Sequence, residues 1–320
     1  MKKLSIILCI LMLFKLVRAQ QEAQFSQYMF NAIYINPAYA GYHEQLNIHG
    51  FYRNQWTGIE GAPKTLSFAI DAVANKGNVG LALNALSEKL GAQRTFSAFA
   101  NYAYRVRMNN DGSSRLSFGI GLGLMQSGLA AELLNPNDYE TNLPVGFYSL
   151  MMPEARAGVM FANDKFYAGF SAGNLISQFL KNEKYIFIPK PKPHYYLTAG
   201  LLLPLSANVY IKPSFLIKED RAGPTSLDLN AFFIFYDRLW IGGSYRTAIA
   251  LFDKPHLQND LSKTNAAIAA LQVFPAHFRI GYAYDFSIGP LRHYSEGAHE
   301  LSIGYFFNRN NLRMRTPRYF

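Results

Sequence analysis

Apolar and polar residues alternate with a period of two over most of this chain. Phe96, Ala98, Ala100, Tyr102, Tyr104 and Val106 fall on one face of an extended segment, and Ser97, Asn101, Arg105 and Arg107 on the other. Phe278, Ile280, Tyr282, Tyr284 and Phe286 alternate in the same way with Arg279, Gly281, Ala283 and Asp285. Leu301, Ile303, Tyr305 and Phe307 alternate with Ser302, Gly304 and Asn308. Each reads as a strand of about ten residues, the length that crosses a bilayer when tilted. Such segments are predicted near 46–56, 64–74, 78–88, 94–108, 114–126, 154–163, 166–175, 194–204, 207–218, 225–236, 238–248, 264–274, 277–288 and 297–308. The twelfth is ambiguous, because 266–271 reads equally as a short helix.

These make about fourteen strands, an even number, and their connections sort by length. Tight turns are expected at 75–77, 109–113, 163–165, Ser206, Asp237 and 275–276. Longer loops intervene, the largest at 130–153, 175–193 and 251–263, each after an odd-numbered strand. Short periplasmic turns on one rim and long outer loops on the other define an all-β, transmembrane antiparallel β-barrel. In hydrocarbon every backbone N–H and C=O must be paired, and strands manage this only by closing on themselves. Outward positions must be apolar, since Lys or Arg at mid-bilayer costs about 2–4 kcal/mol. The inner face then carries His49, Arg53, Asp71, Asn101, Arg105, Asp228, Asn230, Arg246, Arg279 and Asp285. The competing interpretation is the solvated face of a soluble sheet. A soluble sheet has no reason to sort its loops between two rims.

Composition agrees. The 320 residues are 50% hydrophobic but only 16% charged, against roughly 25% charged in a soluble domain. There are 25 Phe and 21 Tyr beside 2 Trp, as aromatic girdles at two membrane interfaces require. A mean hydropathy of -0.03 is too polar for a bundle of membrane helices. The start of the chain reads as an export signal over 1–19: Lys2 and Lys3, an apolar run from Leu4 to Phe14, and cleavage between Ala19 and Gln20. Its removal brings the formal charge from +10 to about +6, too mild for a nucleic-acid partner. Cys9, the only cysteine, leaves with it.

Residues 20–45 form a lead-in without alternation, aromatic and interrupted by Asn36-Pro37. It reads as a lumen plug, through Phe25, Tyr28, Phe30 and Tyr39, or as a segment at the periplasmic rim, and the plainer alternative is an ordered lead-in strand. The barrel is expected over 46–308 and a basic periplasmic tail over 309–320, including Arg313, Arg315 and Arg318.

Chemical motifs are weak. Gly119, Gly121 and Gly123 lack the third spaced glycine and the helix of a phosphate loop, and read as room made inside a barrel wall. No Walker loop, HExxH or GxSxG occurs, the seven histidines never pair at ligand spacing, and His299-Glu300 reads as the opening of the last strand. No catalytic, cofactor or metal residue is nominated. A surface for partners is expected in the stiff loop holding Lys181, Lys184, Tyr185 and Phe187 among prolines.

The stretches FSQYMFNAIYINPAYAG, RNQWTGIEGAPKT, KFYAGFSAGNL, PHYYLTAG, KPSFLIK, SLDLNAFF, LWIGGSYRT, RIGYAYDF and HELSIGY together resemble the PorP/SprF family of type IX secretion system outer-membrane proteins. The resemblance covers essentially the whole mature chain in order. It implies a non-enzymatic, cofactor-free barrel in the secretion and gliding apparatus. It also implies partners among other type IX components, an adhesin-type surface protein client that is exported or anchored, and a peptidoglycan-associated periplasmic protein. The alternative function is a passive channel or small-solute transporter.

Overall fold

The computed structural model describes residues 24–134, 146–180, 191–220, 223–252, 254 and 264–307. Fourteen antiparallel strands close into a barrel. They are β1 (Asn47–Asn54), β2 (Lys64–Ala74), β3 (Val79–Leu90), β4 (Gln93–Arg107), β5 (Arg115–Ala130), β6 (Phe147–Ala162) and β7 (Phe166–Gly173). There follow β8 (His194–Leu201, continued as Leu203–Ser206), β9 (Val209–Asp220), β10 (Thr225–Phe235) and β11 (Leu239–Ile249). The last three are β12 (Thr264–Val273), β13 (Phe278–Ser287) and β14 (Ala298–Phe306). Each strand pairs with its sequence neighbours, and β14 closes on β1, with Asn47 opposite Phe306 and Asn54 opposite His299. The two pieces of β8 pair with the same β9, and the register shifts between Val209 and Tyr210. Residues 266–271, where the sequence left helix and strand open, are strand. Among the described residues no helix is long and apolar enough to cross a membrane.

Alternation survives in the burial. On β5, Phe118, Ile120, Leu122 and Leu124 are exposed on the outer wall while Ser117 faces in and is buried. Leu66 and Phe68 of β2 and Leu301 and Ile303 of β14 are likewise exposed, each 52–59% accessible, as a lipid-facing band demands. All ten polar positions expected on the inner face are buried.

The loop pattern is corrected in two places. The connection expected over 130–153 is shorter, because β6 begins at Phe147 and already pairs Phe147 with Ala130. The β3–β4 connection lies on the long-loop rim yet is only the turn at Gly91 and Ala92, with Leu90 opposite Gln93. At the β3–β4 turn the strands run on past their apolar stretch, and polar residues such as Glu88, Lys89 and Arg94 keep pairing, whereas β6 is lengthened by the largely apolar Phe147 to Pro153, which pair with 124–130 of β5.

Candidate functional site

The inner wall is occupied by the chain's own lead-in. Residues 24–46 contain three single-turn helices, Tyr28–Phe30, Ala32–Tyr34 and Pro37–Tyr39. Asn36 caps the third by accepting the Ala38 N–H at 2.9 Å, and Pro37 opens it, so Asn-Pro sets a sharp bend. Phe25, Tyr28, Phe30 and Tyr39 are all buried.

Near the long-loop end, Glu300 accepts the backbone N–H of Ser26 at 2.7 Å and of Gln27 at 2.8 Å. The Ser26 hydroxyl donates to Asp285 at 2.5 Å and accepts from Arg53 at 2.6 Å. Arg53 also pairs with Asp285 at 2.6 Å and Glu300 at 3.1 Å, and Arg246 pairs with Asp228 at 2.8 Å while reaching the Phe25 carbonyl. Two guanidinium groups, Arg53 and Arg246, thus meet three carboxylates, Asp228, Asp285 and Glu300, beside Ser26, one carboxylate more than the cations match. Such a network is inexpensive only when every member is satisfied.

Further along, the Phe30 ring meets Trp240 edge-on at 5.1 Å and Phe232 at 5.9 Å. The Tyr28 hydroxyl accepts from Asn230 at 2.5 Å, and the Tyr34 hydroxyl donates to the Phe68 and Ala85 carbonyls of β2 and β3. Across the lumen, Asn36 donates to the Val159 and Phe170 carbonyls of β6 and β7, and Arg156 to the Tyr34 carbonyl. Glu44, at the short-turn rim, pairs with Arg105 at 3.0 Å and Arg115 at 2.9 Å. Burial pushes the Tyr28 and Tyr39 phenols up and the His43 imidazole down.

Inward glycines make this fit. A Cβ on Gly80 would strike the Ala40 carbonyl, one on Gly119 the backbone at Pro37 and Ala38, and one on Gly158 the Asn36 amide. Gly119 therefore makes room, and what it admits is the lead-in backbone. Gly121 and Gly123 instead lie against Asn101 and Phe99 of the wall.

On the long-loop rim, Glu154 holds the base of the β7–β8 loop by accepting the N–H groups of Ile176 (2.7 Å) and Ser177 (3.2 Å). The Ser177 hydroxyl and Asn174 amide close that base onto the carbonyls of Pro191 and Lys192. Lys181, Lys184, Tyr185 and Phe187 lie outside the described residues, as do Arg313, Arg315, Arg318, Ala19 and Gln20.

The sequence reading missed Ser26, Gln27, Glu44, Trp240 and above all Glu300, which faces the lumen on β14. Glu300 falls on the polar side of the β14 alternation, two residues before Ser302, and that parity was the available signal. Among the described residues no cluster of His, Cys, Asp or Glu could hold a metal ion.

A closed fourteen-stranded barrel with an apolar outer band and a charged inner wall is a multi-pass outer-membrane protein. The family model for "Type IX secretion system membrane protein PorP/SprF" matches residues 17–305, and the chain belongs to that family. No curated protein matches the chain. Solved structures similar to it include the monoaromatic hydrocarbon channel CymD (11% identity, 88% of this chain and 93% of that one, TM-score 0.49). Omp33 of Acinetobacter baumannii is another (8% identity, 83% and 100%, TM-score 0.46). A third is a FadL homologue of Pseudomonas aeruginosa (10% identity, 88% and 94%, TM-score 0.43). Scores and identities this low carry no functional argument.

Proposed function

We propose that this barrel is a non-enzymatic mount in the type IX secretion and gliding apparatus. The lead-in over 20–45 plugs the lumen, the long-loop rim retains or receives an adhesin-type surface protein client, and the basic tail over 309–320 meets an acidic periplasmic partner, such as a peptidoglycan-associated protein. Export depends on the signal over 1–19. The observation that carries this reading is the lead-in, which binds β1, β14, β10 and β11 on one side and β2, β6 and β7 on the other. A lumen crossed in this way leaves the two rims as the surfaces for partners, and the braced base of the β7–β8 loop suits a rigid grip on a client.

The test is the surface proteome of a clean deletion strain, compared with wild type by protease shaving and mass spectrometry. Loss of one large surface protein is the expected outcome for a dedicated anchor. Loss of all type IX cargo marks a core component instead, and unchanged cargo overturns the reading. A second reading, a passive channel or small-solute transporter, draws on the charged inner wall. Planar-bilayer recordings separate the two, since a steady open pore in the wild-type protein favours transport and a silent one favours the plug.

A further inference from the structure

The lead-in is seated at both ends of the lumen, and its contacts fix its direction. Its start lies at the long-loop end. Glu300, which holds the N–H groups of Ser26 and Gln27, is the third residue of β14 counted from the β13–β14 loop. Arg53 and Asp285, which hold the Ser26 hydroxyl, are the last residue but one of β1 and the last but two of β13, at the same end of the barrel. The other end of the lead-in lies at the short-turn rim. Backbone at Ala40 and Gly41 lies against Gly80, the second residue of β3. Glu44 pairs with Arg105 near the end of β4 and with Arg115 at the start of β5. The segment thus runs the height of the lumen and enters the wall at Asn47 from the rim opposite its start.

Exposure along the segment follows the same path. Gln24 is half-buried, every residue over 25–43 except Ala32 and Ile35 is buried, and the Glu44 side chain is 26% exposed. Solvent therefore meets the lead-in chiefly at its two ends. Near the start, the loops are tied together: the Thr57 N–H donates to the Gly297 carbonyl and the Glu296 N–H to the Thr57 carbonyl, both at 2.8 Å, and the Gly91 N–H to the Gly61 carbonyl at 2.7 Å. A segment already ordered inside a braced rim offers contacts to a partner at little cost in ordering.

From this path we infer that the lead-in is a through-lumen connector between two partner surfaces. Its start, at Gln24, is presented at the long-loop mouth on the cell-surface side, and its end, at Glu44, at the short-turn rim on the periplasmic side. The inference rests on the reading of the two rims given above, and it adds that a client polypeptide on one rim and a periplasmic protein on the other touch opposite ends of one ordered segment.

The test uses the full chain in living cells, as single-cysteine variants. The wild type, whose only cysteine is Cys9, is the blank. Gln24→Cys and Glu44→Cys probe the two ends of the lead-in. Glu60→Cys, exposed in the β1–β2 loop, and Asp164→Cys, exposed in the β6–β7 turn, mark the two rims. Each strain is treated with a membrane-impermeant biotin maleimide before or after permeabilisation of the outer membrane, and folding is read by heat-modifiable gel mobility. Gln24→Cys is expected to label in intact cells together with Glu60→Cys, and Glu44→Cys to label only after permeabilisation, together with Asp164→Cys. The inference is overturned if Gln24→Cys follows Asp164→Cys, if it stays unlabelled in both states while Glu60→Cys labels, or if Glu44→Cys labels in intact cells beside Glu60→Cys. Labelling of Asp164→Cys but not Glu60→Cys in intact cells would instead reverse the barrel in the membrane, which overturns the proposed function; the path of the lead-in is then judged by whether Gln24→Cys still follows Glu60→Cys. If Glu44→Cys does not fold without its ion pairs, Gln24→Cys decides alone.

Discussion

Glu300 takes the backbone N–H of Ser26 at 2.7 Å across 274 residues of sequence, so that the last strand of the barrel grips the start of the chain. The same carboxylate accepts from Gln27 and pairs with Arg53, itself bound to the Ser26 hydroxyl. Barrel closure between β14 and β1 and docking of the lead-in thus share one buried group. The lead-in can be seated firmly only after the first and last strands have met.

Glu300→Ala removes the acceptor of two backbone N–H groups and leaves Arg53 with Asp285 as its ion-pair partner beside the Ser26 hydroxyl. Losing one member of a buried ionic network costs about 3–5 kcal/mol, and here the loss falls on the docked lead-in. The expected phenotype is a barrel that still shows heat-modifiable migration but conducts in planar bilayers more than the wild type does. Glu300→Gln keeps an acceptor oxygen and is expected to lie between the two. A silent Glu300→Ala barrel would show that this carboxylate does not hold the plug.

Gly158→Val tests the seat of the lead-in without touching a charge. Valine suits a strand, but its Cβ would displace the Asn36 amide that accepts from Ala38 and donates to the carbonyls of β6 and β7. The barrel is expected to assemble while the lead-in becomes accessible to chymotrypsin, with new cleavages after Tyr28, Phe30 or Tyr34 found by N-terminal sequencing. A lead-in as protected as that of wild type would mean that its other anchors suffice.

What could be read from the residues in order, and what could not, divides along sequence separation. Alternation is local, so Phe96 to Val106 or Phe278 to Phe286 declare their faces within one strand, and the strand positions and inner polar wall follow. Strand ends do not declare themselves, because Glu88 and Lys89 above the lipid are polar whether paired or not, and β3 therefore runs past its expected end to Leu90. The lumen site is non-local: Ser26 meets Asp285 and Glu300, and Tyr28 meets Asn230. No periodicity reports such partners. Inward glycines were the one available clue, since a glycine in a strand interior often marks another backbone close by. Gly119 was read correctly as making room, but nothing near it in sequence says for what.

Phe30 is the aromatic anchor of the lead-in, wedged against Phe232 and Trp240 and buried to 1% exposure. Phe30→Ala removes the ring and leaves a cavity, a change worth about 3–5 kcal/mol in a packed core. Trp240 is one of only two tryptophans, so the change is visible optically. Its emission is expected to shift to the red as water reaches the indole, while Trp56, in the β1–β2 loop, is unaffected. Unchanged emission would show that the aromatic cluster closes without Phe30.

Acid should loosen the lead-in through His43. This residue is fully buried, and burial lowers its pKa, with the Asp71 carboxylate 3.8 Å away opposing the shift only in part. Because the docked state holds the imidazole neutral, a proton binds more readily once the segment is released. The linkage is therefore silent above the ordinary histidine value of about 6.5, and docking weakens as pH falls below it. His43 packs against Tyr39, Tyr42 and Phe306, and Asn47 lies beside its Nδ1, so the charged ring would displace a stacked aromatic pair as well as desolvate itself. Chymotrypsin accessibility of the lead-in is only measurable near neutral pH, so acid-dependent release is better followed by bilayer conductance between pH 7.5 and about 5. Openings are expected to increase over that interval in the wild type and to lose their pH dependence in His43→Gln. Persistence of the same acid step in His43→Gln would assign it to another group.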